Sequence, residues 1–535
     1  MSAFKNTSNR QWIRLRENVR RNRVCCFLFF CLLGSACFGG LQAAGPVSIR
    51  GKVTGSAGAL EGAYVAVHAA GKTLTTYVMT DRRGQYAFRS LAPGRYEVFT
   101  RIPGFRSLAK SGLAVETGKV AVADFQVQPE TEFLKLVEQA SNAELTESYP
   151  LSPEDQRALD YRCGDCHGAR YIAKSRFTLK EWEQIVAKMS DQFVTPAGDP
   201  APPPRRLSAS NRDPALGPPG SDDASIARIL AKFRGPNSPD FPVKFRPRLA
   251  GELTRAVVTE YQIPRLGAAP RFAVVDPRGR YVWYSDWRAN FLGRIEIETG
   301  EIQEYPIPGR ADRPPGLQET TWDPQGNLWA GQIWSGRAVR FDVAAERVAG
   351  IWAPPQEWVR LGSVTMCRPN PDGPVTYMVG DSLVSPGGMR WTLDPDSGRF
   401  TEIPRTEGGH PSNSVRKGTG ECESGEWYGG WRQKRSIFHR DPKTGKTTEF
   451  PMATPWARPF NAVGDAARQV GWAAPDVSSR IVKADLKTGQ VTEFPLPSHG
   501  KEIRNIDIEL TANPPALWFV NQRLGRIVRF QEYVE

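Results

Sequence analysis

VTEYQIP, residues 258–264, decides the fold because it recurs. Its variants are IQEYPIP (302–308), FTEIPR (400–405), TTEFPM (447–452) and VTEFPLP (491–497). Each alternates like a short strand and closes at or next to a proline. Before four of them stands a basic β run with a turn: GRIEIETGE, MRWTLDPDSG, RSIFHRDPKTG and SRIVKADLKTG. Earlier in the units a turn leads into tryptophan: DPRGRYVWYSD, DPQGNLWAG, ESGEWYGG, ARQVGWAAPD and PALWFVN. A period from the mid-forties to about fifty residues holds four short strands, the content of one propeller blade, with the tryptophans packed between neighbours. Six units follow: 265–308, 309–355, 356–405, 406–452, 453–497 and 498–535. The last stops at GRIVRFQ without an outer strand, and VTEYQIP has no strands of its own before it. The earlier segment therefore completes the last unit. The expectation is a β-propeller over 251–535; six blades fit the count best, with seven as the alternative.

These repeats resemble the virginiamycin B lyase (streptogramin lyase) family. That resemblance implies a histidine beside proline at a blade start, with acidic and magnesium-binding positions. The corresponding stretches here read APRFAVV, PPGLQET, HPSNSV, RPFNAV and EIRNIDI, which put Arg271, Gly316, Ser412, Phe460 and Arg504 toward the funnel. None is histidine, and His410 precedes Pro411. Elimination chemistry needs a positioned general base, so the fold is expected without that activity, and the lyase stays as an alternative function. The funnel entrance is rich instead in Arg271, Asp286, Trp287, Gln318, Asn413, Arg458, Asn461, Arg504 and Asn505. Such groups suit a polar or anionic small molecule.

The chain has 535 residues and a formal charge of +13. Seven Lys/Arg against Glu17 fall within residues 1–44, leaving +7 on the remainder. No basic stripe with interleaved aromatics occurs, which argues against a nucleic-acid partner. Within 1–44 a basic stretch ends at Arg23 and VCCFLFFCLLGSACFGGLQAAG follows. This reads as an export signal. An uncleaved membrane anchor and lipidation at Cys37 are the alternatives, and they are the only expected membrane link. All three put residues 45–535 outside the cytoplasm, with the periplasm expected. Four of the eight cysteines lie in this segment; Cys163, Cys166, Cys367 and Cys422 remain. Cys367 and Cys422 either pair or stay free.

Residues 46–128 alternate in short period-two runs, VSIRGKV, AYVAVHA, GQYAF and RYEVFT, separated by glycine turns. In DRRGQYAF and LAPGRYEV a turn glycine precedes an inward-pointing aromatic. This resembles the carboxypeptidase regulatory-like domain, a β-sandwich. The resemblance implies a structural or binding module, sometimes grouped with carbohydrate-binding sandwiches, and no catalysis. His68 reads as a strand-end surface residue. Residues 129–150 read as a helical linker.

Residues 151–240 change character. Ser152 caps a helix running into Cys163. TLKEWEQIVAKM (178–189) places Trp182, Ile185, Val186 and Met189 on one helical face, and SDDASIARILAKF (221–233) is a further helix. The first helix leads into YRCGDCHGAR (161–170), which holds Cys163, Cys166 and His167 as C-x-x-C-H. Zinc would need two more Cys/His ligands, and residues 168–250 contain none. A redox disulfide would sit in a βαβ setting, which is missing. Outside the cytoplasm the motif reads as one covalent haem c, with the cysteines on the vinyl groups and His167 on the iron. The helix order resembles a single-haem cytochrome c domain. Met189 is the expected second iron ligand, with a plain core role or an open iron site as alternatives, and Trp182 reads as a pocket wall.

The expected architecture is therefore mainly β and multidomain: an N-terminal β-sandwich, a small all-α cytochrome c domain and a C-terminal β-propeller. The expected function is single-electron transfer with a donor or acceptor protein, the propeller binding a substrate or redox partner. A non-enzymatic ligand- or carbohydrate-binding protein is a further alternative.

Overall fold

The computed structural model describes residues 45–164, 168–191, 217–353, 363–367, 376–380, 390–403, 427–431, 435–441, 443–475, 477–498, 503 and 506–533. The chain is mainly β, with many antiparallel sheets and six α-helices among the described residues. No described helix is long and apolar enough to cross a membrane.

The N-terminal part stacks two sheets. Val47–Gly55 pairs with Gln85–Arg89 and with two short strands near residues 121–126. Facing it are Leu74–Met79, Tyr64–Ala69, Gly94–Arg101 and Ala109–Val115, in that order. Alternate residues point inward: Ile49, Val53, Val65, Val67, Tyr86, Phe88, Val98 and Phe125 form one buried cluster. Gly84 has φ +74°, and a Cβ there would stand 2.5 Å from the Val53 carbonyl oxygen. That close turn aims Tyr86 and Phe88 into the core. His68 is half-buried, its Nδ1 3.1 Å from the Leu74 carbonyl and 3.0 Å from Thr75 Oγ1.

Six successive antiparallel sheets follow, and their spans coincide with the six repeat units. The first is Pro270–Val275, Tyr281–Asp286, Phe291–Glu296 and Ile302–Pro306. The second is Leu317–Trp322, Leu328–Gln332, Arg337–Asp342 and Arg347–Trp352. The third and fourth begin at Ser363–Cys367 and Trp427–Trp431, the fourth with three described strands. The fifth runs from Pro459–Asp465 to Val491–Pro495. The recurrent VTEYQIP-like element is the outermost strand of the first, third, fourth and fifth sheets. First strands of the first and second, second and third, fifth and sixth, and sixth and first sheets lie against each other. Among the described residues every sheet is open.

The sixth sheet holds Ile506–Glu509, Ala516–Asn521 and Arg526–Glu532, and Ala256–Gln262 completes it, pairing from Ala256↔Glu532 to Gln262↔Arg526. The ladder then continues. Ala256–Gln262 also pairs with Leu74–Met79, so one sheet of eight strands runs from the sixth repeat into the N-terminal sandwich. Tyr64, Tyr77 and Met79 share a buried cluster with Trp472, Phe494, Phe519 and Phe530.

The helices are α1 (Phe133–Gln139), α2 (Asn142–Ser148), α3 (Pro153–Cys163), α4 (Gly168–Lys174), α5 (Leu179–Asp191) and α6 (Asp223–Arg234). Ser152 accepts from Asp155 N and caps α3, as its sequence position suggests. The stretch 129–150 is more than a linker. It forms α1 and α2, and Val137, Leu145 and Tyr149 join the same core as Leu159, Trp182, Val186, Ile226, Leu230 and Phe233. Their spacing is too short for a clear helical period. That is why the sequence shows a helical connection and not a core element. Ser141 and Glu144 make a reciprocal capping box that fixes α2.

Candidate functional site

Antiparallel pairing sets where side chains can meet. Pro270 pairs with Asp286, and Pro459 with Pro475. First-strand starts and second-to-third connections therefore share one end of the sheets, termed the mouth here.

At the mouth Arg271 is 3% exposed and Gln318 2%. Arg271 Nε donates to Gln318 Oε1 at 3.2 Å and Nη1 to Gln522 Oε1 at 2.9 Å. The guanidinium lies 4.0 Å over the Trp287 ring, which meets Trp334 edge-on. Arg271, Trp287 and Gln318 are thus brought together as expected of neighbours. Gln522 and Trp334 were missed. Their signal was available: Gln522 directly follows a second strand, as Trp287 does, and Trp334 stands one residue further on.

Asp286 is placed differently from its expected ligand role. Its side chain is fully buried, and Oδ2 pairs with Arg265 and accepts from Ala269 N at 3.0 Å. Oδ1 accepts from Arg288 N at 2.8 Å and Ala289 N at 3.0 Å. Its lone pairs are spent on its own loop, so it shapes the turn that carries Trp287. Asn413, Arg504 and Asn505 lie outside the described residues, as does the side chain of Asn461 on Pro459–Asp465.

Arg458 also departs from a free ligand-facing role. It donates through Nη2 to Asp160 Oδ2 at 2.5 Å and to the Asp160 carbonyl at 2.8 Å. Asp160 is on α3, one turn before Cys163. The two side chains are 11% and 10% exposed. A Cβ on Gly164 would stand 2.6 Å from the same Nη2. Ala143 N of α2 donates to the Val477 carbonyl at 3.1 Å. Near it Glu144 faces Arg480, whose pKa is lowered, chiefly by burial. The helices are thus seated on the mouth at the fifth sheet. Asp160 had a sequence signal only in hindsight: an acid on the last helical turns, where the macrodipole disfavours it.

Cys163 ends α3, half-buried and packed against the helical core. Cys166 and His167 lie outside the described residues, as does Cys422; of Cys367 only the backbone, in Ser363–Cys367, is described. Met189 is half-buried on α5. Trp182 is buried, donates from Nε1 to the Arg234 carbonyl at 3.1 Å and meets Phe177 edge-on. That fastens α5 to α6. Tyr149 sits near Cys163 and donates to the Ala169 carbonyl at 2.5 Å. Burial pushes its hydroxyl pKa well up, and a Cys163 thiolate would add to this.

The described residues beside the C-x-x-C-H stretch include a buried polar group left unsatisfied. Asn142 is buried, and its Oδ1 has no hydrogen-bond partner. Its amide packs on Gly168, where a Cβ would lie 2.4 Å from Asn142 Cγ. Gly168 directly follows His167. An iron-bound histidine needs an acceptor for its other ring N–H, and the orphaned carbonyl of Asn142 adjoins Gly168, the next residue along the chain. Among the described residues no cluster of three or more His, Cys, Asp or Glu stands together.

Comparison with known proteins adds two findings. Residues 48–128 match the carboxypeptidase regulatory-like domain family. The chain is also structurally similar to virginiamycin B lyase from Staphylococcus aureus, at 16% identity and TM-score 0.33, over 52% of this chain and 99% of that one. A streptogramin B lyase aligns at 14% identity and TM-score 0.34, over 53% and 100%. A gluconolactonase from Xanthomonas campestris aligns at 11% identity and TM-score 0.32, over 51% and 89%. No curated protein matches the chain.

Proposed function

We propose that this chain is an exported c-type haem protein that passes single electrons, with six propeller blades forming a binding platform beneath the haem-bearing helices. The observation that carries the reading is the seat of α3. Its C-terminus, where C-x-x-C-H begins, is held on the mouth by Asp160 and Arg458.

Cys163 and Cys166 would anchor the group through thioether bonds. His167 would bind the iron, Met189 would approach from α5, and Trp182 would wall the pocket. Asn142 Oδ1 would accept the ring N–H of His167 and fix its orientation. When bound, the haem supplies reversible one-electron chemistry. The apolar helical core around Cys163 would help to exclude water from the bound group. Each cycle takes one electron from a donor, at the mouth or on a partner protein, and hands one to an acceptor. Arg271, Gln318 and Gln522, buried and hydrogen-bonded to one another beneath Trp287, would form a polar, cationic floor under an anionic or polar molecule at the mouth.

The test is an absorption spectrum of protein exported in a host with haem-attachment machinery, oxidised and then reduced with dithionite. Covalent low-spin haem, lost in the Cys163→Ser/Cys166→Ser variant and altered in Met189→Ala, is expected. Chains that leave competent cells without covalent haem would refute the redox reading.

A further inference from the structure

We propose that Arg458 and Asp160 form a cross-domain positioning pair through which the six-sheet region sets the reduction potential of the haem site. The inference rests on the haem reading above and deepens it.

Arg458 enters the first strand of the fifth sheet, and Asp160 belongs to α3, 298 residues earlier in the chain. Two hydrogen bonds from one nitrogen, to the carboxylate and to the carbonyl of the same residue, fix the guanidinium against the helix end. The space a Cβ would take at Gly164 lies 2.6 Å from that nitrogen. Gly164 directly follows Cys163 in the motif. A nearly buried cation therefore stands against the haem-attachment loop, brought there by another part of the fold.

A cation beside a redox group favours the form carrying the extra electron, and an anion disfavours it. Water screens this pair weakly because both side chains are almost covered. The two charges oppose each other, so the potential depends on their balance. A pair that acts only as a clamp has a different signature. Removing either half then loosens the helices and admits water in the same way.

The experiment is a redox titration of full-length, haem-loaded protein, with the variants Arg458→Gln, Arg458→Lys and Asp160→Asn. Arg458→Gln is expected to lower the potential and Asp160→Asn to raise it. A tenfold change in the reduced-to-oxidised ratio at fixed potential is about 59 mV for a one-electron couple, and each shift should be of that order. Arg458→Lys keeps the charge and should stay close to the parent. Limited proteolysis of the haem-free chains gives a second readout, independent of the cofactor. Shifts of one sign in both charge-removing variants, with faster cleavage between the helices and the sheets, would reduce the pair to a clamp and overturn the proposal. Unchanged potentials would overturn it as well. A parent chain without covalent haem would defeat the haem reading itself, a separate outcome.

Discussion

Gly168 shows how tightly the residues around the motif are constrained. Its φ is +63°, a conformation that disfavours side chains, and the Asn142 amide occupies the space a methyl would need. Gly168→Ala should destabilise the helical part by about 1–3 kcal/mol and reduce haem loading. Urea melts of the haem-free chain and a count of covalent haem per chain would check this. At this scale C-x-x-C-H stood out by its spacing alone, and covalent haem is the reading proposed for it. The use of charged groups was not legible. Asp286 and Arg458 look alike as polar residues near blade starts. Only tertiary partners reveal that Asp286 is consumed by Arg265 and its own loop, and Arg458 by a helix from another domain. No local pattern encodes a partner 298 residues away.

Among elements, the second and third strands of four sheets share one device. Trp283↔Arg294, Trp329↔Arg340, Trp472↔Lys483 and Trp518↔Arg529 are direct cross-strand partners. Each cation lies over its indole, at 5.7, 5.8, 5.1 and 5.8 Å in turn. The sequence displayed both halves, a tryptophan after one turn and a basic run before the next. What it did not display was register, which depends on the turn between them. The separation is eleven residues in all four pairs, and that regularity is the signal that could have revealed it. Trp329 is fully buried and also stacks on Trp352 at 5.2 Å. Trp329→Ala should cost about 3–5 kcal/mol. Arg340→Ala should cost less, and a double-mutant cycle should return a coupling of about 0.5–2 kcal/mol. A coupling near zero would mean the arginine only covers the ring.

For the whole molecule, repeat counting gave the sheets, and the interrupted last unit pointed to Ala256–Gln262 as its completion. The union beyond that was hidden. Leu74–Met79 reads as an ordinary sandwich strand, and a strand's alternation says which face is buried but not what lies along its edge. In the structure it joins the sixth sheet, and Tyr64 donates to the Pro495 carbonyl at 2.7 Å from the same side. The sandwich is therefore a structural wall of the repeat region. Deleting residues 45–128 would uncover Trp472, Phe494 and Phe530 and free one side of Ala256–Gln262. The shortened chain should melt at lower temperature and self-associate, by calorimetry and size-exclusion chromatography. An unchanged melting temperature and a monomeric profile would show the modules to be independent.

The strand Ala256–Gln262 also has a history within each molecule's making. Glu260 and Arg526, joined across its ladder, are 266 residues apart. As the chain emerges, the sandwich can take up one side of this strand at once. The other side must wait while every intervening sheet is delivered. Until then the nascent protein carries an unmatched row of amide and carbonyl groups, open to a neighbouring chain in the same condition. Maturation therefore has a vulnerable interval set by chain length, and crowding during synthesis, more than the stability of the finished molecule, should govern how much of it survives.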